Sequence, residues 1–119
     1  MRRGNRVQTD IHVAGLFIKG KRLGAKNYLL FVSQNETGQF RYRVIVGKKY
    51  GKAVDRNRIR RRLREILRTE GRGIGPGVDL LFLPRRDLHN TDHPALVTIV
   101  RNALERVRRN IQKEDPFSS

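Results

Sequence analysis

Between Arg41 and Arg72 the chain sets thirteen lysines and arginines against three acids, so these 32 residues supply +10 of the formal +16 that the whole sequence carries. Arginine accounts for 20 of the 27 cations, and its planar fork can grip a phosphate bidentately while its face stacks on a base. Arg58, Arg60, Arg61, Arg62 and Arg64 stand within two turns of one another, where mutual repulsion costs stability unless an anion occupies the face. The chemistry that follows is contact with a nucleic-acid backbone. Other reactive types are poorly arranged. His89 and His93 are four apart with Asp92 between them, but they straddle a helix start beside Pro94, and a capping loop accounts for them better than a metal site. His12 is alone, and the acids form no paired-carboxylate set of the kind a two-metal nuclease needs. There is no cysteine, hence no thiolate ligand or thiol nucleophile. The expected catalytic and metal-ligating residues of the polypeptide are therefore none.

The elements that must position the cations follow from periodicity. From Arg56 to Glu70, Ile59, Leu63, Ile66 and Leu67 recur at the spacing of a buried stripe. At about 100° per residue, Asn57, Arg60, Arg61, Arg64 and Arg68 share the opposite face, with Arg58 and Arg62 at its flanks. Asp55 is the expected cap, after a basic connection from Lys48 to Val54. Before it, Phe40 to Gly47 alternates: Phe40, Tyr42, Val44 and Val46 toward a core, Arg41, Arg43 and Ile45 away from it. Tyr28 to Ser33 reads as an earlier strand, and Asn35 to Gly38 as the hairpin turn between the two. Lys21, Arg22, Gly24 and Lys26 read as a basic turn. A first helix is expected from Thr9 or Asp10 to Lys19, with Val13, Ala14 and Phe17 on one face and Gly20 ending it. Thr69 to Gly77 reads as a loop. Val78 to Leu83, apolar except for Asp79, should be a central strand. A last helix, capped by Asp92 and pre-set by Pro94, carries Leu96, Val100, Ala103, Leu104, Val107 and Ile111 on one stripe. Its other side carries Arg101, Arg106, Arg108 and Arg109.

At 119 residues and 37% hydrophobic content, one domain over 1–119 is expected, with flexible tails at 1–9 and 112–119. No apolar run approaches the ~18 residues of a membrane span, and no signal-peptide core is present. A soluble cytoplasmic protein with no membrane partner is the expectation.

The string Lys48-Lys49-Tyr50-Gly51-Lys52-Ala53-Val54-Asp55-Arg56-Asn57-Arg58-Ile59-Arg60-Arg61-Arg62-Leu63-Arg64-Glu65, centred on Arg56-Asn57-Arg58, closely resembles the signature of the bacterial ribonuclease P protein subunit. Leu16-Phe17-Ile18-Lys19-Gly20, Gly77-Val78-Asp79 and Pro84-Arg85 extend the resemblance over about residues 10 to 111. It implies an α/β (α+β) two-layer sandwich with a mixed four-stranded sheet and a left-handed βαβ crossover, a fold also seen in a ribosomal protein domain. It implies a protein that assists a catalytic RNA in cutting the 5′ leader from precursor tRNA, one protein per RNA. Magnesium would sit at the RNA active site, and the protein itself would bind no cofactor. Carried over by position, Lys48, Lys49, Lys52, Arg56, Asn57, Arg58, Arg60, Arg61, Arg64 and Arg68 would contact the RNA subunit. Val13, Phe17, Phe31 and Arg43 would form the cleft for the single-stranded leader. Val13 stands where the family usually has an aromatic, and Arg43 where it favours a glycine. A structural ribosomal protein or RNA chaperone of the same fold is the alternative, and a metal-dependent nuclease acting alone is disfavoured by the missing carboxylate cluster.

Overall fold

The computed structural model describes Gly15 and residues 20–74 and 77–113. Four strands, β1 (Lys21–Gly24), β2 (Tyr28–Gln34), β3 (Phe40–Val44) and β4 (Val78–Pro84), form one mixed sheet in the order β1-β2-β4-β3. β1 and β4 each pair antiparallel with β2, and β3 pairs parallel with β4. Among the described residues two long helices, α1 (Ala53–Glu70) and α2 (His93–Lys113), supply the second layer, with α1 joining the parallel pair. Of the expected first helix only Gly15, which is helical, is among the described residues; Val13 and Phe17 lie outside them, as do the expected tail at 1–9 and residues 114–119 of the tail expected at 112–119, whose first two residues end α2 instead.

The sheet's two faces divide by parity. Leu30, Phe82 and Val44 lie in one cross-strand row and Val32, Leu80 and Tyr42 in the next. All six are buried, sharing a core with Ile59, Leu63, Ile66 and Leu67 of α1 and with Leu96, Val100, Ala103, Leu104 and Val107 of α2. The helical stripes read from the sequence are thus the ones that pack. On the opposite face Phe31, Leu81 and Arg43 form one row, and Ser33, Asp79 and Arg41 another.

Asp79 interrupts an apolar strand for a reason. Arg41 on the neighbouring strand donates to both its carboxylate oxygens at 2.8 Å, and Asn35 Nδ2 donates to Oδ1 at 2.7 Å. The pairing holds the Arg41 guanidinium above its ordinary pKa, chiefly through the hydrogen bonds. A carboxylate this buried is tolerated only when its lone pairs are filled in this way.

Three expectations need correction. Lys21 to Gly24 is not a turn but an edge strand, whose one inward residue, Leu23, is buried. Four residues, two of them charged, give too little alternation to read, yet suit an edge that must not recruit another chain. Asn35 to Gly38 does not close a hairpin between β2 and β3, because β4 lies between them. The almost wholly apolar β4 needs a paired neighbour on each side and so takes the centre. The turn instead cradles the start of β4: Gly77 O accepts from Asn35 N, and Gln39 O from Val78 N. Gly77 has φ 69°, and a Cβ there would lie 2.4 Å from Asn35 O, so no other residue fits. Finally, Asp55 does not cap α1. The helix begins at Ala53 with Lys52 as its N-cap and no side-chain capping bond, and Asp55 in the first turn is drawn to cations elsewhere. Asp92 does cap α2, its Oδ1 accepting from Ala95 N at 3.0 Å.

Candidate nucleic-acid interface

The basic loop ahead of α1 is held by a buried aromatic. Lys48–Tyr50 make one 3₁₀ turn. Lys48 and Lys49 project outward while the Tyr50 ring is buried, its hydroxyl 3.3 Å from His89 Nδ1. That burial raises the phenol's pKa. Arg86 closes the loop from outside: its Nη1 donates to Tyr50 O at 3.0 Å and to Asp55 Oδ2 at 3.3 Å, and the guanidinium lies 5.4 Å from the Tyr50 ring centre. Gly51, at φ 151°, passes beneath it, where a Cβ would stand 2.6 Å from Arg86 Nη1. Arg56 Nη1 then donates to Gly51 O at 2.8 Å, tying the first turn of α1 back to the loop.

The helix presents its cations unevenly. Asn57, Arg58 and Arg61 are exposed, while Arg60, Arg62 and Arg64 are half-buried. Arg60 donates to Asn57 Oδ1 at 2.7 Å, and Arg62 to the Thr91 carbonyl at 2.8 Å. Between Arg41 and Arg64 the sequence holds one acid, Asp55, and it faces Arg86 and, at 3.8 Å, His89. Among the described residues Lys48, Lys49, Lys52, Arg58, Arg61 and Arg64 have no acidic partner, so their charge is left to solvent or an incoming anion. Beyond Arg64 the pattern changes. Arg68 pairs with Glu65 and Arg101 with Glu70, and these hydrogen bonds hold both carboxyls below the usual carboxylate range.

Of the residues expected at the RNA subunit, Lys48, Lys49, Lys52, Asn57, Arg58 and Arg61 stand exposed on one continuous surface of loop and helix. Arg56 is engaged with its own loop and Arg68 with Glu65. Arg60 and Arg64 line a groove of about 240 Å³ along β3, with Tyr42 to Val46, Arg43 among them. Phe31 and Arg43, expected in the leader cleft, lie in one cross-strand row on either side of Leu81, against which Phe31 packs. The helix surface and the sheet face of Phe31 and Leu81 therefore meet at Arg43, on the edge strand. Sequence reading treated them as separate, and it missed Arg86, which lines a hollow of about 520 Å³ floored by Leu29, Ile45 and Leu83. The only signal was the Pro84-Arg85-Arg86 string. Among the described residues no three histidines, acids or cysteines come together as metal ligands, and no helix is long and apolar enough to cross a membrane.

Comparison with known proteins identifies the family. The family model described as Ribonuclease P matches residues 1–108. The ribonuclease P protein component of Petrotoga mobilis is 31% identical over 107 residues, covering 90% of this chain and 91% of its own. That of Phytoplasma australiense is 36% identical over 99 residues, covering 82% and 86%. The structure of the RNase P protein from Thermotoga maritima, solved with 1-(4-fluorophenyl)-2-thiourea, superposes with a TM-score of 0.77 at 28% identity, covering 85% of this chain and 98% of its own. An exposed arginine ridge on a helix that joins two parallel strands, in a chain matched over nearly its whole length, leads to one assignment: the chain belongs to the ribonuclease P protein family.

Proposed function

We propose that this chain is the RNA-binding subunit of a ribonuclease P holoenzyme and assists its catalytic RNA in removing the 5′ leader from precursor tRNA. Partnership with the RNA subunit follows from membership of the family. The observation that carries the surface assignment is the run of cations from Lys48 to Arg64, whose sole acid is turned to Arg86 and His89. In this reading Lys48, Lys49, Lys52, Arg58, Arg60, Arg61 and Arg64 neutralise phosphates of the RNA subunit, Asn57 bonds beside them, and Arg56 and Arg68 contribute from the ends of the ridge. The row of Phe31, Leu81 and Arg43, with Val13 and Phe17, takes the leader, where stacking and charge tolerate any sequence. Magnesium belongs to the RNA active site, with no metal held by the protein. One protein per RNA and a cytoplasmic location complete the reading. The family match favours it over a ribosomal protein or RNA chaperone of the same fold.

The test is 5′ maturation of precursor tRNA by the catalytic RNA at low magnesium, with and without the protein. Added protein should restore cleavage; no effect on a folded, active RNA contradicts the reading. Folded Phe31→Ala should still assemble but lose part of the preference for precursor over mature tRNA, since a lost base stack costs about 1 to 3 kcal/mol.

A further inference from the structure

Val54 is the large hydrophobic residue left in the open among the described residues, 75% exposed. It stands in the first turn of α1, inside the most cationic stretch of the chain. At about 100° per residue, Arg58 and Arg61, four and seven positions on, project within about 40° of it. Both are exposed and neither has an acidic partner among the described residues. The same stripe continues to Glu65 and Arg68, which neutralise each other. Its first two turns therefore present an isopropyl group followed by two unneutralised guanidiniums.

We propose that Val54, Arg58 and Arg61 act together on the RNA subunit, Val54 against the apolar face of a nucleoside and the two arginines on the phosphates that flank it. The inference rests on the reading of α1 as the RNA surface and adds a contact that charge alone does not supply. Phosphate contacts position a protein without distinguishing one site from another. An apolar side chain among them matches a ribose exposed in the shallow groove of an RNA helix or a base turned out of its stack. A second copy of this chain is the poorer occupant, because it would bring another +16 against an already cationic face.

The experiment measures affinity for the catalytic RNA across a salt series, together with melting temperature, for the wild-type chain, Val54→Ala, Val54→Ile and Arg58→Ala. Val54→Ala should bind about five- to tenfold more weakly, as expected for two methyl groups no longer covered. Its salt slope and melting temperature should be unchanged, since no phosphate contact is lost and the side chain supports nothing in the free protein. Val54→Ile should bind like the wild type. Arg58→Ala should instead flatten the slope by about 0.7 to 0.9. Wild-type binding with undiminished affinity in Val54→Ala overturns the inference alone, whereas failure of the wild-type chain to bind overturns the parent reading and this inference with it. Sedimentation at micromolar protein supplies a second check: self-association that Val54→Ala abolishes, with RNA affinity unchanged, assigns the residue to a second copy and overturns the proposal.

Discussion

The chain carries arginines on the outer faces of two amphipathic helices, and the two faces are physically opposite. On α2, Arg101 is bound to Glu70, Arg108 to Glu105 and to the Gly73 carbonyl, and Arg106 to the Tyr28 hydroxyl, its guanidinium 5.9 Å from that ring. On the first three turns of α1 the arginines find carbonyls, an amide or nothing, and the one acid within reach is occupied by Arg86 and His89. Arg101, Arg106 and Arg108 therefore fasten elements of the fold together, while the cations of α1 repel one another until something negative arrives. Arginine content does not mark a binding face; the absence of neutralising partners does.

The contrast can be sharpened by removing charge from each kind of site. The largest effect is expected where a pair is buried. Asp79→Ala leaves the part-buried Arg41 and Asn35 without their shared acceptor and should cost about 3 kcal/mol in urea unfolding. Arg58→Ala with Arg61→Ala should change stability by less than about 0.5 kcal/mol; equal losses would erase the distinction. A middle-sized effect comes from making α1 resemble α2. Arg61→Glu supplies an acid three residues from both Arg58 and Arg64, and should weaken RNA binding roughly tenfold beyond Arg61→Ala by adding repulsion to the lost contact. If the two variants bind alike, the ridge does not face phosphate.

The smallest effect concerns pH. Glu65 and Glu70 are held below the usual carboxylate range by Arg68 and Arg101. A depressed folded-state value means that their stabilisation is present above that range and is lost as pH falls through the folded value. Wild-type chain should therefore be slightly more stable than the Glu65→Gln, Glu70→Gln variant near neutrality, and the gap should close as pH falls below the usual carboxylate range. A gap that widens on acidification would show that these pairs are not formed.

What could be read beforehand follows the range of the interactions. The stripes of α1 and α2 and the central place of β4 depend on residues a few positions apart, and the sequence displays them. The insertion of β4 between β2 and β3 and the edge strand Lys21–Gly24 depend on pairing between distant segments, which a short polar strand does not advertise. The site divides in the same way. Asn57, Arg58 and Arg61 are legible because the helix alone turns them outward. The clamp of Arg86 on Tyr50 and Asp55 spans 36 and 31 residues, and neither the need for glycine at position 51 nor the diversion of Asp55 from capping could be foreseen without it. Arg68 differs again: its i, i+3 spacing from Glu65 is visible in the sequence, but whether a surface pair forms depends on which competing acids and cations lie nearby.

The most direct test of the central claim is the salt dependence of binding to the catalytic RNA for two triple variants of equal charge. Arg58→Ala, Arg61→Ala and Arg64→Ala on α1 should flatten the slope of log K against log salt by about two to three units, because each lost phosphate contact removes about 0.7 to 0.9. Arg101→Ala, Arg106→Ala and Arg108→Ala on α2 should flatten it by less than about one unit. Equal flattening in both variants, or an unchanged slope in the α1 variant, would contradict the assignment of the RNA surface to α1.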